Sequence, residues 1–144
     1  MQRFRFRLQR ILEWQQRVYQ TEQERFHQCL SRCVELDHAI AQLALRSGAI
    51  EHEFASQPRI DASGLQALGE FRKQTLVERR RLRQELAANQ RAVSEQRAKL
   101  LAEKRRLQIL ERLRERARAD HQVSVDRELE ALGLESFLAA KSVR

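Results

Sequence analysis

Cys29 and Cys33 lie four residues apart, which places both thiols on one face of a helix. Two thiols so arranged could form a redox switch or half of a metal site. No Cys-x-x-Cys and no second cysteine pair completes either, so both read as small residues buried in a helical seam. His27, His38, His52 and His121 never fall at His-x-x-x-His spacing, and a lone histidine on a polar helix is ordinarily solvated. Gly48, Gly64, Gly69 and Gly133 are isolated from one another. They make no phosphate-cradling loop, and each reads as a local break in a helix. Paired carboxylates would need a concave, water-poor pocket to shift their protonation, which two slender helices do not build. The chain therefore reads as a non-enzyme with no cofactor and no metal, and its function has to lie in its partners.

The formal charge is +8, with 28 basic and 20 acidic residues, and only Lys73, Lys99, Lys104 and Lys141 among the basic residues are lysine. The sign is unevenly spread. Residues 72–118 carry 16 basic and 6 acidic side chains, whereas residues 120–135 carry one basic and five acidic. A basic body suits an acidic or phosphate-rich partner. The clusters Arg79-Arg80-Arg81-Leu82-Arg83 and Lys104-Arg105-Arg106, continuing to Arg118, could in principle serve a nucleic acid. Unlike the free basic arm of a leucine-zipper protein, however, they lie inside the region expected to pair, and they alternate with Glu85, Glu103, Glu111 and Glu115. Acidic and basic residues three and four apart mark solvated coiled-coil faces, so no specific nucleic-acid partner is expected.

Four glycines, one proline and one third charged residues describe a long coiled coil rather than a globule. From Leu8 the positions 8, 12, 15, 19, 22, 26, 29, 33, 36, 40, 43, 47, 50 and 54 alternate in steps of four and three. Most are apolar, which predicts a first helix over about 5–54. Pro58 is the only proline. It ends that helix near Ser56, and Asp61 or Ser63 can cap the next, so the turn spans about 56–62. The second helix is expected over about 63–139, with its seam on Leu65, Leu68, Arg72, Thr75, Leu82, Leu86, Val93, Leu100, Leu107 and Leu110. Polar Asn89, Gln96 and Glu103 interrupt that seam, weakening it while fixing its register. The fold class is thus all-α: a long antiparallel two-helix coiled-coil hairpin, in one domain, with an overhanging second helix.

Folding back at residue 58 pairs positions whose numbers sum to about 117, so the chain from about Arg114 onward overhangs its partner helix. Its amphipathic stripe (Val125, Leu129, Leu132, Leu134 and Phe137) is then unmatched, and such a stripe is normally covered by another protein. At the same end Phe4, Phe6, Leu8 and Ile11 carry apolar surface that two helices alone leave uncovered, beside Arg3, Arg5, Arg7 and Arg10. Near the tip, the expected seam leaves Phe71 and Leu76 one step to either side, on an exposed face, unless a local register shift swings Phe71 into the seam beside Ile50 or Phe54. No apolar run reaches the length of a membrane span and the start lacks a signal-peptide core, which predicts a cytoplasmic protein.

The opening Phe4-Arg5-Phe6-Arg7-Leu8-Gln9-Arg10-Ile11-Leu12-Glu13, two aromatics one residue apart and then Leu-x-x-x-Leu, resembles the start of the FliJ family of bacterial flagellar export proteins. The run Glu103-Lys104-Arg105-Arg106-Leu107-Gln108, through Glu111, Leu113 and Glu115-Arg116, is similar to the family's second-helix stretch, and the likeness in layout spans the whole chain. The family's acidic end motif is only loosely met by Glu135-Ser136-Phe137. The resemblance implies a stalk that inserts its terminal end into the hexameric flagellar export ATPase, of FliI type, through Phe4, Phe6, Leu8, Ile11, Leu129, Leu132 and Phe137. It also implies contact with the FlhA-like export gate protein through Phe71 and Leu76, contact with export chaperones, and a place at the inner membrane held only through those partners. Stalks of non-flagellar type III secretion systems share the same layout.

Overall fold

The computed structural model describes residues 3–143, which form two α-helices, α1 (Gln9–Ala55) and α2 (Ala62–Ser142), and among the described residues no strand. The helices pack against each other as an antiparallel hairpin. Their ends follow local chemistry. The Ser56 N–H donates to the His52 carbonyl at 3.1 Å and the Gln57 N–H to the Phe54 carbonyl at 3.3 Å, closing α1 just before Pro58. Asp61 caps α2: its carboxylate accepts the Gly64 N–H at 2.7 Å and the Ser63 hydroxyl at 3.1 Å. A side chain at residue 64 would meet that carboxylate oxygen at 2.8 Å and the Phe54 ring at 3.5 Å, so glycine there lets the cap and the end of α1 close together. The other glycines do not break their helices. Gly48, Gly69 and Gly133 all lie inside unbroken α-helix, because one glycine costs only about 1 kcal/mol where long flanking helix continues on both sides.

Helix α1 starts at Gln9 and not near Arg5. The reason is the two-residue alternation of the opening. Phe4, Phe6 and Leu8 are half-buried while Arg3, Arg5 and Arg7 are exposed, a division that an extended segment makes and a helix cannot. The Gln9 N–H then donates to the Phe6 carbonyl at 3.1 Å and the Leu12 N–H to the Leu8 carbonyl at 2.9 Å, turning the chain into α1.

Packing divides the chain into two compact units, a tip unit of residues 22–100 and a terminal unit in which residues up to 21 meet residues from 101 onward. In the tip unit Leu36, Leu43 and Leu82 form a buried cluster with Ala39, Ile40 and Leu86 packed around it. In the terminal unit Leu12 is fully buried and Gln15 nearly so. Within each unit the register is the same. Gln15 faces Glu103 in one, and Glu22 faces Gln96 and Cys29 faces Asn89 in the other, pairs whose numbers sum to 118 against the expected 117.

Two stretches of the α2 seam differ from expectation. Near the tip, the inward positions are Gly64, Leu68, Phe71 and Thr75, whereas Leu65 is exposed and Arg72 is exposed in an ion pair with Glu51 at 2.9 Å. In the terminal unit α2 stays half-buried at Arg114, Ala117, His121 and Val125, so the overhang begins only after Val125 and not at Arg114. The extended opening explains this. Four extended residues at about 3.3 Å each run as far as about nine residues of helix at 1.5 Å, so residues 3–6 cover α2 past its pairing with Leu8. Phe4 meets the His121 ring at a centroid distance of 5.5 Å.

Candidate partner-binding surfaces

The seam itself holds its polar residues without loss. Asn89 donates its amide to the Cys29 carbonyl at 2.8 Å and to the Cys33 Sγ at 3.0 Å. Gln96 donates to both the carbonyl and the carboxylate of Glu22, which also accepts from Arg25 at 2.9 Å. In the terminal unit Gln15 donates to the carbonyl and carboxylate of Glu103, which also accepts from Arg106 at 2.7 Å. Each rung is therefore an amide reaching the opposite backbone, with a nearby arginine on the carboxylate where one is present. Among the described residues no buried side-chain nitrogen or oxygen lacks a partner. The rungs are structural, and a one-residue slip would strand every one of them.

Among the described residues no side-chain cluster suits metal binding. Cys29 and Cys33 are half-buried free thiols of the seam. His27 and His38 do follow Glu24 and Glu35 by three residues, a ligand-like spacing, but all four are exposed, and among the described residues no three His, Cys, Asp or Glu side chains come together to hold an ion. Among the described residues, too, no helix is long and apolar enough to cross a membrane. What the molecule offers is apolar surface.

One such surface is the end of α2. Every residue from 126 to 143 is exposed, including Leu129, Leu132, Leu134, Phe137 and Leu138. Leu129 and Leu132 continue the stripe of Val125. At about 100° per residue Leu134, Phe137 and Leu138 point to the other side, between about 140° and 240° around from Leu132. The last turns are apolar on opposite faces, with Leu132 59%, Leu134 64% and Phe137 65% exposed.

The sequence-derived terminal residues separate into two groups. Phe4, Phe6 and Leu8 are half-buried, and Phe4 and Phe6 line a shallow hollow with Arg5, Arg7 and Arg10, while Ile11, Leu129, Leu132 and Phe137 are exposed. Near the tip, Leu76 is exposed as expected but Phe71 is not. Phe71 points into the seam because α2 turns Phe71 inward in place of Arg72, whose guanidinium goes out to Glu51. It lines two open hollows, one beside Leu43 and Ile50 and one of ≈ 400 Å³ beside Ala44, Ser47, Gly48 and Leu76.

A third surface escaped the sequence reading. Trp14, the single tryptophan, is 60% exposed, and Ile11 beside it and Ile109 and Leu113 on α2 are exposed too, the last two sharing a hollow with Arg112 and Arg116. The available signal was positional: Ile11 and Leu113 each immediately precede a seam position, and Trp14 and Ile109 stand three or four residues from them, on the same flank. Comparison with known families, characterised proteins and solved structures finds no match. The surfaces alone must carry the functional argument.

Proposed function

We propose that this chain is a non-catalytic stalk of a flagellar-type protein export apparatus, whose free α2 end enters the central hole of a hexameric FliI-like ATPase. The observation that carries the reading is the apolar character of residues 132–138 on opposite faces of one exposed helix. Leucines and a phenylalanine on opposite faces of one helix are covered more fully by an enclosure than by a flat partner, which would leave one face wet. A ring covers all sides. Arg3, Arg5, Arg7 and Arg10 beside the half-buried Phe4 and Phe6 are placed to meet acidic or carbonyl groups at the mouth of such a hole. The resemblance of the opening and of residues 103–116 to FliJ proteins supports the same partner, and adds a FlhA-like gate protein at Leu76 and Phe71, export chaperones, and a cytoplasmic position at the inner membrane held through those contacts.

The test is stimulation of a cognate export ATPase by the purified chain. Removing residues 126–144, which leaves every packed residue in place, is expected to abolish stimulation and copurification of the ATPase. Stimulation that survives this deletion would refute the insertion.

A further inference from the structure

The terminal unit carries two surfaces of matching chemistry. One is the flank formed by Ile11 and Trp14 of α1 with Ile109 and Leu113 of α2, where Arg112 and Arg116 share the hollow and neither makes an ion pair among the described residues. The other is the overhang. Its stripe of Leu129 and Leu132 is bordered on one side by Glu128 and Glu135 and on the other by Asp126 and Glu130, with Arg127 the only basic residue in 126–140. One surface is apolar with a basic rim, the other apolar with an acidic rim.

We infer that two copies of this chain associate through their terminal units, the overhang of each lying on the Ile11–Trp14–Ile109–Leu113 flank of the other. Geometry favours a second copy over intramolecular folding, because α2 is one unbroken helix to Ser142 and its end cannot return to its own flank. Two unlike surfaces on each chain, each fitting the other on a second chain, close as a two-fold pair with both contacts made twice. The lengths also agree. Residues 126–140 span about 22 Å of helix, enough to cover the flank from the level of Trp14 to Leu113. Each overhang then becomes the third helix on its partner's two, and Trp14 is covered, as aromatics at interface centres are.

This arrangement goes beyond the stalk reading and needs no ATPase. It covers the overhang in the free protein, and it predicts that self-association and ring insertion exclude each other.

The test is sedimentation equilibrium on the purified full-length chain, with the fluorescence of Trp14 followed in parallel. The expected result is a mass that doubles with concentration, a blue shift of Trp14 emission over the same range, and stronger association at low salt. Glu128→Arg with Glu130→Arg is expected to weaken association about tenfold, as is Arg112→Glu with Arg116→Glu, with helix content unchanged because all four side chains lie on or beside the surface. Mixing the two variants makes both contacts complementary again, one with the natural sign and one reversed, and should recover most of the affinity. A chain that stays monomeric, a dimer that neither charge reversal weakens, or a mixture that associates no better than its components would each overturn the inference.

Discussion

The tip and terminal units share one seam chemistry and differ on the flank beside it. Glu22 with Gln96 and Arg25 in the tip is matched by Glu103 with Gln15 and Arg106 in the terminal unit, the same three residue types in the same relation. The flank positions that precede the seam diverge. In the tip they carry charge: Arg32 bonds Glu85 across the helices, and Arg46 acts on Glu78, whose carboxyl is held below its ordinary range first by the Arg81 hydrogen bond. In the terminal unit three of the corresponding positions, Ile11, Val18 and Leu113, are apolar and a fourth is Arg106. A solvated coiled coil has no use for exposed apolar residues where ion pairs serve. The same seam chemistry thus has inter-helix ion pairing beside it in the tip and exposed Ile11 and Leu113 beside it in the terminal unit.

The comparison can be broken first through the cores. Leu36→Ala in the tip and Leu12→Ala in the terminal unit each remove a side chain that is wholly or almost wholly buried, and each is expected to cost about 2–5 kcal/mol. If the units are separately cooperative, hydrogen exchange should rise mainly around the mutated unit: near Leu82 for the first and near Leu107 for the second. Uniform loss of protection in both variants would show one cooperative block, and the distinction between units would then be one of surface alone.

A smaller effect tests the tip. Phe71 is half-buried against a seam that also offers Ile50 and Leu43, so Phe71→Ala is expected to lower stability by about 2 kcal/mol and the melting temperature by several degrees. An unchanged melting temperature together with a loss of affinity for the gate protein's cytoplasmic domain would instead make Phe71 an interface residue. Leu76→Ala, at an exposed position, should leave melting unchanged in either case.

Much of the fold was legible because coiled-coil periodicity and a single proline leave little freedom. The α1 seam holds at thirteen of its fourteen positions, with only Ile50 classed as exposed, and the turn lies where Pro58 and Asp61 put it. Errors arose where a second periodicity competed. Phe4-Arg5-Phe6-Arg7 also fits a two-residue alternation, and the extended form wins because it half-buries both rings, with Phe4 against His121 of α2, which in turn shortens the overhang. At Phe71 the heptad offered two frames one residue apart. Burial of the larger apolar side chain decided in favour of Phe71 over Arg72. The Trp14 flank was missed for a related reason: a heptad scan rewards seam positions and ignores their neighbours.

The smallest expected effect concerns the cap that starts α2. Asp61 is exposed, and its pKa is lowered chiefly by the Gly64 N–H that it accepts and next by the Ser63 hydroxyl. The folded state therefore prefers the ionised carboxylate more than the unfolded chain does. The stabilisation this provides is complete above the ordinary aspartate value of about 4 and is lost as pH falls through the lower folded value. Asp61→Ala should lower the melting temperature by a few degrees near neutral pH, and the gap to the natural chain should close in stronger acid. Asp61→Asn supplies the control, since an amide oxygen still caps but cannot titrate, so its gap to Asp61→Ala should stay constant with pH. Melting followed by circular dichroism across the acid range distinguishes these outcomes. A gap between the natural chain and Asp61→Ala that persists unchanged into strong acid would mean that the carboxylate's charge does not support the cap, and that the tip is held by Gly64 packing on Phe54 instead.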